Sequence, residues 1–228
     1  MPQSAPETDI SEDLLLGGRV RLLQPRVGYR AGLDAALLAA AVRRPQSLFV
    51  GVERDPSAAA LARQNVNLNG LDARVEIVGG DVDKGFRALG LEPFDAVMAN
   101  PPFFDDPGAI RGPHPAREGA YMADGGLQAW TGFLLKAVRE GGSITIIHRA
   151  DRLADLLAGL GAKAGSIRVC PIHPFVDEPA KRVLVRAIKT GKAPLTLLPP
   201  LVLHDRGGNK HTDAVEAILR GEAALGWD

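Results

Sequence analysis

The sequence predicts an α/β fold with a mostly parallel, doubly wound sheet and an antiparallel pair at one edge. Three observations carry that prediction. Short β-branched or aromatic runs alternate with longer stretches of helical spacing, which implies parallel strands joined by helical crossovers. Several of these runs, "SLFVGVE" and "FDAVMAN" among them, are almost wholly apolar, as strands covered on both faces are. The last two strands, "SIRVCPI" and "KRVLVRAI", follow one another with no helix between, so they are expected to pair antiparallel.

The elements follow in order. Residues 1–11 are polar and acidic, with no basic region leading into an apolar one, and read as a disordered lead-in without a signal peptide. Residues 12–228 read as a single domain, of which 12–44 form a hairpin and helix and 191–228 a C-terminal extension. "EDLLLGGRVRLLQP" turns at Gly17-Gly18, and "GLDAALLAAAV" is helical. After the strand "SLFVGVE", Asp55 is a good N-cap and Pro56 fits the first helical position, while Asn69 and Gly70 are helix-ending residues. "ARVEIVGGD" and "FDAVMAN" are strands, and "GLQAWTGFLLKAVREGG" is a helix with a glycine stop. "SITIIH" is a strand and "ADRLADLLAGL" a helix. "TGKAPLTLLPPLVL" runs along the surface before a final helix, "TDAVEAILRGEAAL".

Composition narrows the class. The chain has 228 residues, 46% of them hydrophobic, with 27 cationic and 27 acidic side chains. That balance fits a globular protein and excludes disordered and fibrous classes. No apolar run approaches the roughly 18 residues of a spanning helix, so no membrane partner is expected. The single cysteine, Cys170, lies in an apolar stretch and reads as core filler; its solitude suits a reducing, cytoplasmic address. The five histidines show no metal-ligand spacing, and no metal is expected. A neutral total does not forbid a basic face; it requires the acids to lie elsewhere. Arg43, Arg44, Arg111, His114, Arg117, Lys181 and Arg182 are candidates for such a face, against the plainer reading of solvated loops. "HDRGGNKH" reads as a surface loop before it reads as an RNA contact.

Ligands of parallel sheets bind outside the C-terminal ends of strands, which directs attention to Glu53, Asp81 and Asn100. A carboxylate at Glu53 can accept both hydroxyls of a ribose. One at Asp81 can accept from an exocyclic amine of adenine, with Gly79 and Gly80 permitting close approach and Val82 next in line. Each has a bland alternative, a solvated strand end for Glu53 and a Gly-Asp turn for Asp81. "NPPF", Asn100 to Phe103, says more. Pro101 holds Asn100 out of the helical region, and two prolines stiffen the loop while removing two donors. What remains is a rigid spur of acceptors beside an aromatic face at Phe103 or Phe104, a site for a planar group bearing an –NH2. The bland alternative is a Pro-rich turn with its phenylalanines in the core.

"NPPF", with "GVE" and "GGDV" upstream in order, resembles the Rossmann-like S-adenosylmethionine-dependent methyltransferases that methylate planar amines. "QPRVGYRAGLDAALLAAA" and the tail "LPPLVLHDRGGNKHTDAVEAILRGEAAL" resemble the tRNA1(Val) adenine-37 N6-methyltransferase family, and the likeness covers nearly the whole chain. The resemblance implies a class I methyltransferase fold, S-adenosylmethionine as cofactor and an anticodon-loop adenine of tRNA as substrate. It implies that Asn100 Oδ1 and the Pro101 carbonyl hold the amine while Phe103 stacks on the base. Glu53, Asp81, Val82 and Asn100 would meet the cofactor, with Tyr29, Arg30 and Asp34 as candidates at its methionine end. Two alternatives are a glutamine methylase acting on a release factor, and a non-catalytic binding remnant.

The remnant enters because of a departure. In this family a strand and a Gly-rich turn lie between the "LLAA" helix and "GVE", whereas here "AVRRPQ" leads almost directly into Ser47. A parallel crossover alone needs a dozen or more residues, so roughly 20–25 are absent. Removing a central strand would expose its neighbours' edges, so the expectation is a segment missing from this sequence and not from the natural protein. That expectation predicts a spatial break between Val42 and Ser47 wider than the roughly 3.8 Å of a continuous step.

Overall fold

Alternation of apolar side chains along three neighbouring strands decides where the core lies. The computed structural model describes residues 10–27, 30–42, 46–103, 126–208 and 210–227. In β6 (Val138–Arg149) Ile144 and Ile146 face one way and Ile147 the other; in β7 (Ala164–His173) Val169 opposes Cys170 and Ile172; in β8 (Arg182–Lys189) Val183 and Val185 oppose Leu184. The first face packs against α3 (Gly126–Ala137) and α4 (Leu153–Leu160) through Phe133, Leu134, Leu156 and Leu160. The second packs against α1 (Leu33–Ala41) and α5 (Asp213–Leu219) through Leu37, Leu38 and Ile218, with Trp227, beyond α5, in the same cluster. Each fully buried Leu or Ile contributes about 1.5–3 kcal/mol of transfer free energy, so these two layers dominate stability.

The main sheet runs β10-β7-β8-β6-β5, where β5 is Phe94–Ala99 and β10 is Leu201–Val202; β9 (Thr196–Leu197) also pairs with β7. β5 and β6 are parallel, while β8 runs antiparallel to both β6 and β7. The expected antiparallel pair is therefore present. β3 (Phe49–Glu53) and β4 (Val75–Gly79) form a separate parallel pair, in register from Phe49–Val75 to Glu53–Gly79. Among the described residues no strand joins β3 to β5, so the sheet is divided at the place where the sequence is short. The break expected between Val42 and Ser47 falls on residues 43–45, outside the described residues.

Local signals explain most elements. β1 (Ile10–Leu15) and β2 (Val20–Pro25) pair antiparallel around Gly17 and Gly18, whose φ of 66° and 86° the turn requires. The strand begins at Ile10, inside the stretch expected to be a lead-in; residues 1–9 are outside the described residues. Asp55 caps α2 (Pro56–Leu68), accepting from Ser57 N at 2.7 Å and Ala58 N at 3.0 Å. Asn65 and Asn69 then do what no helix-end rule predicts. Their amides pair with the backbone of Leu23 and Arg21, each accepting one N–H and donating to one carbonyl, at 2.7–3.0 Å, and so fasten the hairpin to α2.

One boundary differs from expectation. The glycines of "REGGS" do not stop the helix: α3 ends at Ala137, and β6 starts at Val138. Val138 pairs with Phe94, and then the register jumps so that Ser143 pairs with Ala96. Gly142 sits in this bulge with space for no Cβ, since one would come within 2.9 Å of both the Arg139 and Asp95 carbonyls.

Candidate active site

The spur stands where β5 ends. Ala99 pairs with Ile146, so Asn100 and Pro101 leave the sheet beside Ile147 and His148, the last apolar step of β6. Pro101 is buried, and Asn100, Pro102 and Phe103 are half-buried. Asn100 Oδ1 is shielded from solvent and has no hydrogen-bond partner among the described residues, a costly state for a buried acceptor.

Phe103 has two neighbours. The Arg182 guanidinium lies over its ring at 4.7 Å from the centroid, and the His148 imidazole meets it edge-to-face at 5.1 Å and 87°. Arg182 is held by Asp34 Oδ2 at 3.1 Å and by the Lys181 carbonyl. A flat, delocalised cation thus rests on the ring expected to stack on a base. Burial above all pushes His148 down to about 4, and the charges of Arg152, Arg182 and Arg149 add to that depression, so the ring is neutral at physiological pH. Cys170 is buried in the core with its thiol raised by burial, as expected of core filler.

The two acids stand at the end of the separate β3–β4 pair, Glu53 closing β3 and Asp81 two residues past the end of β4. Glu53 Oε1 accepts from Asp55 N at 2.8 Å, and Asp81 Oδ1 from Asp83 N at 3.1 Å, which leaves the second oxygen of each carboxylate for a ligand. Val82 packs against the core beside Phe86. Gly80 serves packing, because a Cβ there would meet Leu89 Cδ2 at 2.5 Å and Val52 Cγ1 at 2.7 Å; Gly79 alone leaves open space. Asp34 is engaged with Arg182, and Arg30 with Asp13, Ser11 and the Pro25 carbonyl. Tyr29, Phe104, Arg111, His114 and Arg117 lie outside the described residues, as do Arg43 and Arg44.

Glu53 and Asp81 thus each keep one carboxylate oxygen open, acceptors of the kind that a ribose hydroxyl or an adenine amine can use. For the methionine half of S-adenosylmethionine, no Gly-rich turn precedes β3 among the described residues after α1. The "HDRGGNKH" loop is engaged with itself and its neighbours. Arg206 meets Asp177 at 3.0 Å and covers the Phe175 ring, and His204 stacks on His211. No cluster of metal ligands and no helix long and apolar enough to cross a membrane occurs among the described residues.

The sequence profile of the N-6 DNA Methylase family matches residues 35–169, more than half of the chain. The chain belongs to that family. It is 30% identical over 162 residues to a tRNA1(Val) (adenine(37)-N6)-methyltransferase of Porphyromonas gingivalis, covering 69% of this chain and 62% of that protein, somewhat under two thirds of its length. A protein of the same description from Actinobacillus succinogenes is 27% identical over 89% of this chain and 84% of its own. A release factor glutamine methyltransferase of Geobacter sulfurreducens matches a shorter stretch, 38% identical over 34% of this chain and 25% of its own. Among solved structures, a predicted O-methyltransferase of Agrobacterium tumefaciens superposes with a TM-score of 0.67 at 29% identity, covering 86% of this chain and 88% of that one. The architecture is that of a class I methyltransferase, with a mostly parallel sheet and an antiparallel edge pair.

His148 escaped the sequence reading. Its signal was present: a histidine closes the apolar strand "SITIIH", next in the sheet to the strand that closes on Asn100.

Proposed function

We propose that the protein transfers a methyl group from S-adenosylmethionine to the N6 amine of an adenine in a tRNA anticodon loop, position 37, in the cytoplasm. The observation that carries this reading is the shielded, unpartnered Asn100 Oδ1 on a rigid spur beside Phe103. The relatives' names supply the substrate class.

An adenine amine is a poor nucleophile, because its lone pair is delocalised into the ring. Asn100 Oδ1 and the Pro101 carbonyl accept its two hydrogens and favour a pyramidal nitrogen whose lone pair points out of the ring plane. Phe103 stacks on the base, taking the place where Arg182 now lies. When bound, S-adenosylmethionine would supply an electrophilic sulfonium methyl to that nitrogen and leave as the neutral thioether, and the methylated amine would release its proton to solvent. No strong base is needed. Alignment does most of the work, an effect reaching about 7–11 kcal/mol in the best-oriented systems. A loop base reaches such a pocket by leaving its stack, at a cost of a few kcal/mol. Arg149 and Arg182 are adjacent across β6 and β8, paired with Asp151 and Asp34 respectively, and an RNA phosphate would compete with those carboxylates for them.

Replacing Asn100 by alanine tests this. Methyl transfer to an anticodon stem-loop falls by about 10²–10³-fold, the scale of one preorganised polar contact. The unfolding midpoint stays put, because Oδ1 has no partner to lose. A variant with unchanged transfer contradicts the assignment.

A further inference from the structure

His148 is 3% exposed, and among the described residues neither Nδ1 nor Nε2 has a hydrogen-bond partner. The Pro102 carbonyl lies close enough to favour the protonated ring, yet closes no bond with it. Buried polar groups are nearly always paired, and an unpaired one costs about 1–3 kcal/mol. The orphaned nitrogens belong to a ring that touches Phe103, on the strand paired with the one that leads to Asn100, whose Oδ1 is orphaned too. Three unsatisfied atoms thus converge on two adjacent strand ends. A neutral imidazole carries one N–H and one bare nitrogen. Adenine carries acceptor nitrogens, N1 and N7, on either side of its exocyclic amine.

We propose that His148 reads the substrate base: its N–H donates to the ring nitrogen beside the amine that Asn100 holds. This rests on the methyl-acceptor reading above and adds a second point of recognition, which fixes the base's rotation in its plane. Asn100 alone selects for an amine. Asn100 with His148 selects for an amine next to a bare ring nitrogen, which a glutamine amide lacks.

The test measures binding, so it does not depend on turnover. Anticodon stem-loops carrying adenine, 1-deazaadenine or 7-deazaadenine at the target position are titrated against the full chain and its His148→Phe and His148→Asn variants, by fluorescence anisotropy. One of the two deaza substitutions is expected to weaken the unaltered protein's binding by about tenfold, the worth of one hydrogen bond. Which one does so says whether N1 or N7 is read. His148→Phe keeps a ring against Phe103 and binds all three RNAs alike, at the weaker level. His148→Asn, which retains an N–H, recovers part of the discrimination, as a purely structural histidine would not. Equal binding of all three RNAs by the unaltered protein, or discrimination that survives in His148→Phe, overturns the inference and leaves the methyl-acceptor reading standing. If the unaltered protein binds none of the RNAs but does bind a glutamine-bearing release-factor peptide, that reading itself fails, and the inference with it.

Discussion

Two parallel pairs, β5–β6 and β3–β4, are built from similar apolar sequence and meet different fates. β6 lies between β5 and β8, with helices on both faces, and Ile144, Ile146 and Ile147 are fully buried. Every residue of β3 is only half-buried, and its pair stands apart from the main sheet. The difference teaches that apolar character records the environment a strand needs, while pairing decides whether the strand receives it. It also divides the site. The side that would hold the substrate amine is braced by the core, and the side that would hold the donor's adenosine is braced by α2 and the hairpin.

Hydrogen exchange gives that comparison its largest expected effect. Amides of Ile146 and Leu184 exchange through global unfolding, and those of Val50 and Val52 through local opening, about a thousandfold faster, or roughly 4 kcal/mol. Equal rates would make the two pairs one cooperative unit and break the comparison. Substitution sharpens it next. Leu184→Ala empties a fully buried site and costs about 2–5 kcal/mol by denaturant unfolding, whereas Val52→Ala costs about 1 kcal/mol.

Acidification follows. His148 is depressed to about 4 in the folded protein, chiefly by burial, against an ordinary value of 6.5. Its unfolded state binds the proton more readily, so the histidine's contribution is whole above about pH 6.5. It is lost as the pH falls toward 4, on the order of 3 kcal/mol. His148→Phe flattens the pH dependence of stability in that window; an unaltered slope would place the histidine in a wetter environment. The smallest effect lies on the donor side. If Glu53 and Asp81 hold the adenosine half, as proposed, and the other described residues do not hold the methionine half, S-adenosylmethionine and adenosine are expected to bind within about tenfold of each other by calorimetry. A gap of a hundredfold or more would assign the methionine half to residues beyond those described.

Much of this was legible in the chain. Asp55, Pro56 and Asn69 mark α2 because caps act locally, and Glu53, Asp81 and Asn100 are visible as polar stops on apolar runs. The division of the sheet is legible too, as a spacing too short for a strand and crossover. What stayed hidden depends on distant partners. Asp34 looks free for a ligand until the fold brings Arg182 to it from 148 positions away. Gly80 looks like an opening until Val52 and Leu89 fill the space beside it. Likewise, the glycines of "REGGS" look like a helix stop until β5 fixes them in a bulge.

The most direct test of the central claim locates the methyl group. An anticodon stem-loop and a release-factor fragment are incubated together with the protein and saturating S-adenosylmethionine, and both are digested and analysed by mass spectrometry. The account predicts N6-methyladenosine at the target position of the RNA and an unmodified glutamine. Methylglutamine with unmodified RNA, from protein that is folded and binds the donor, would contradict it.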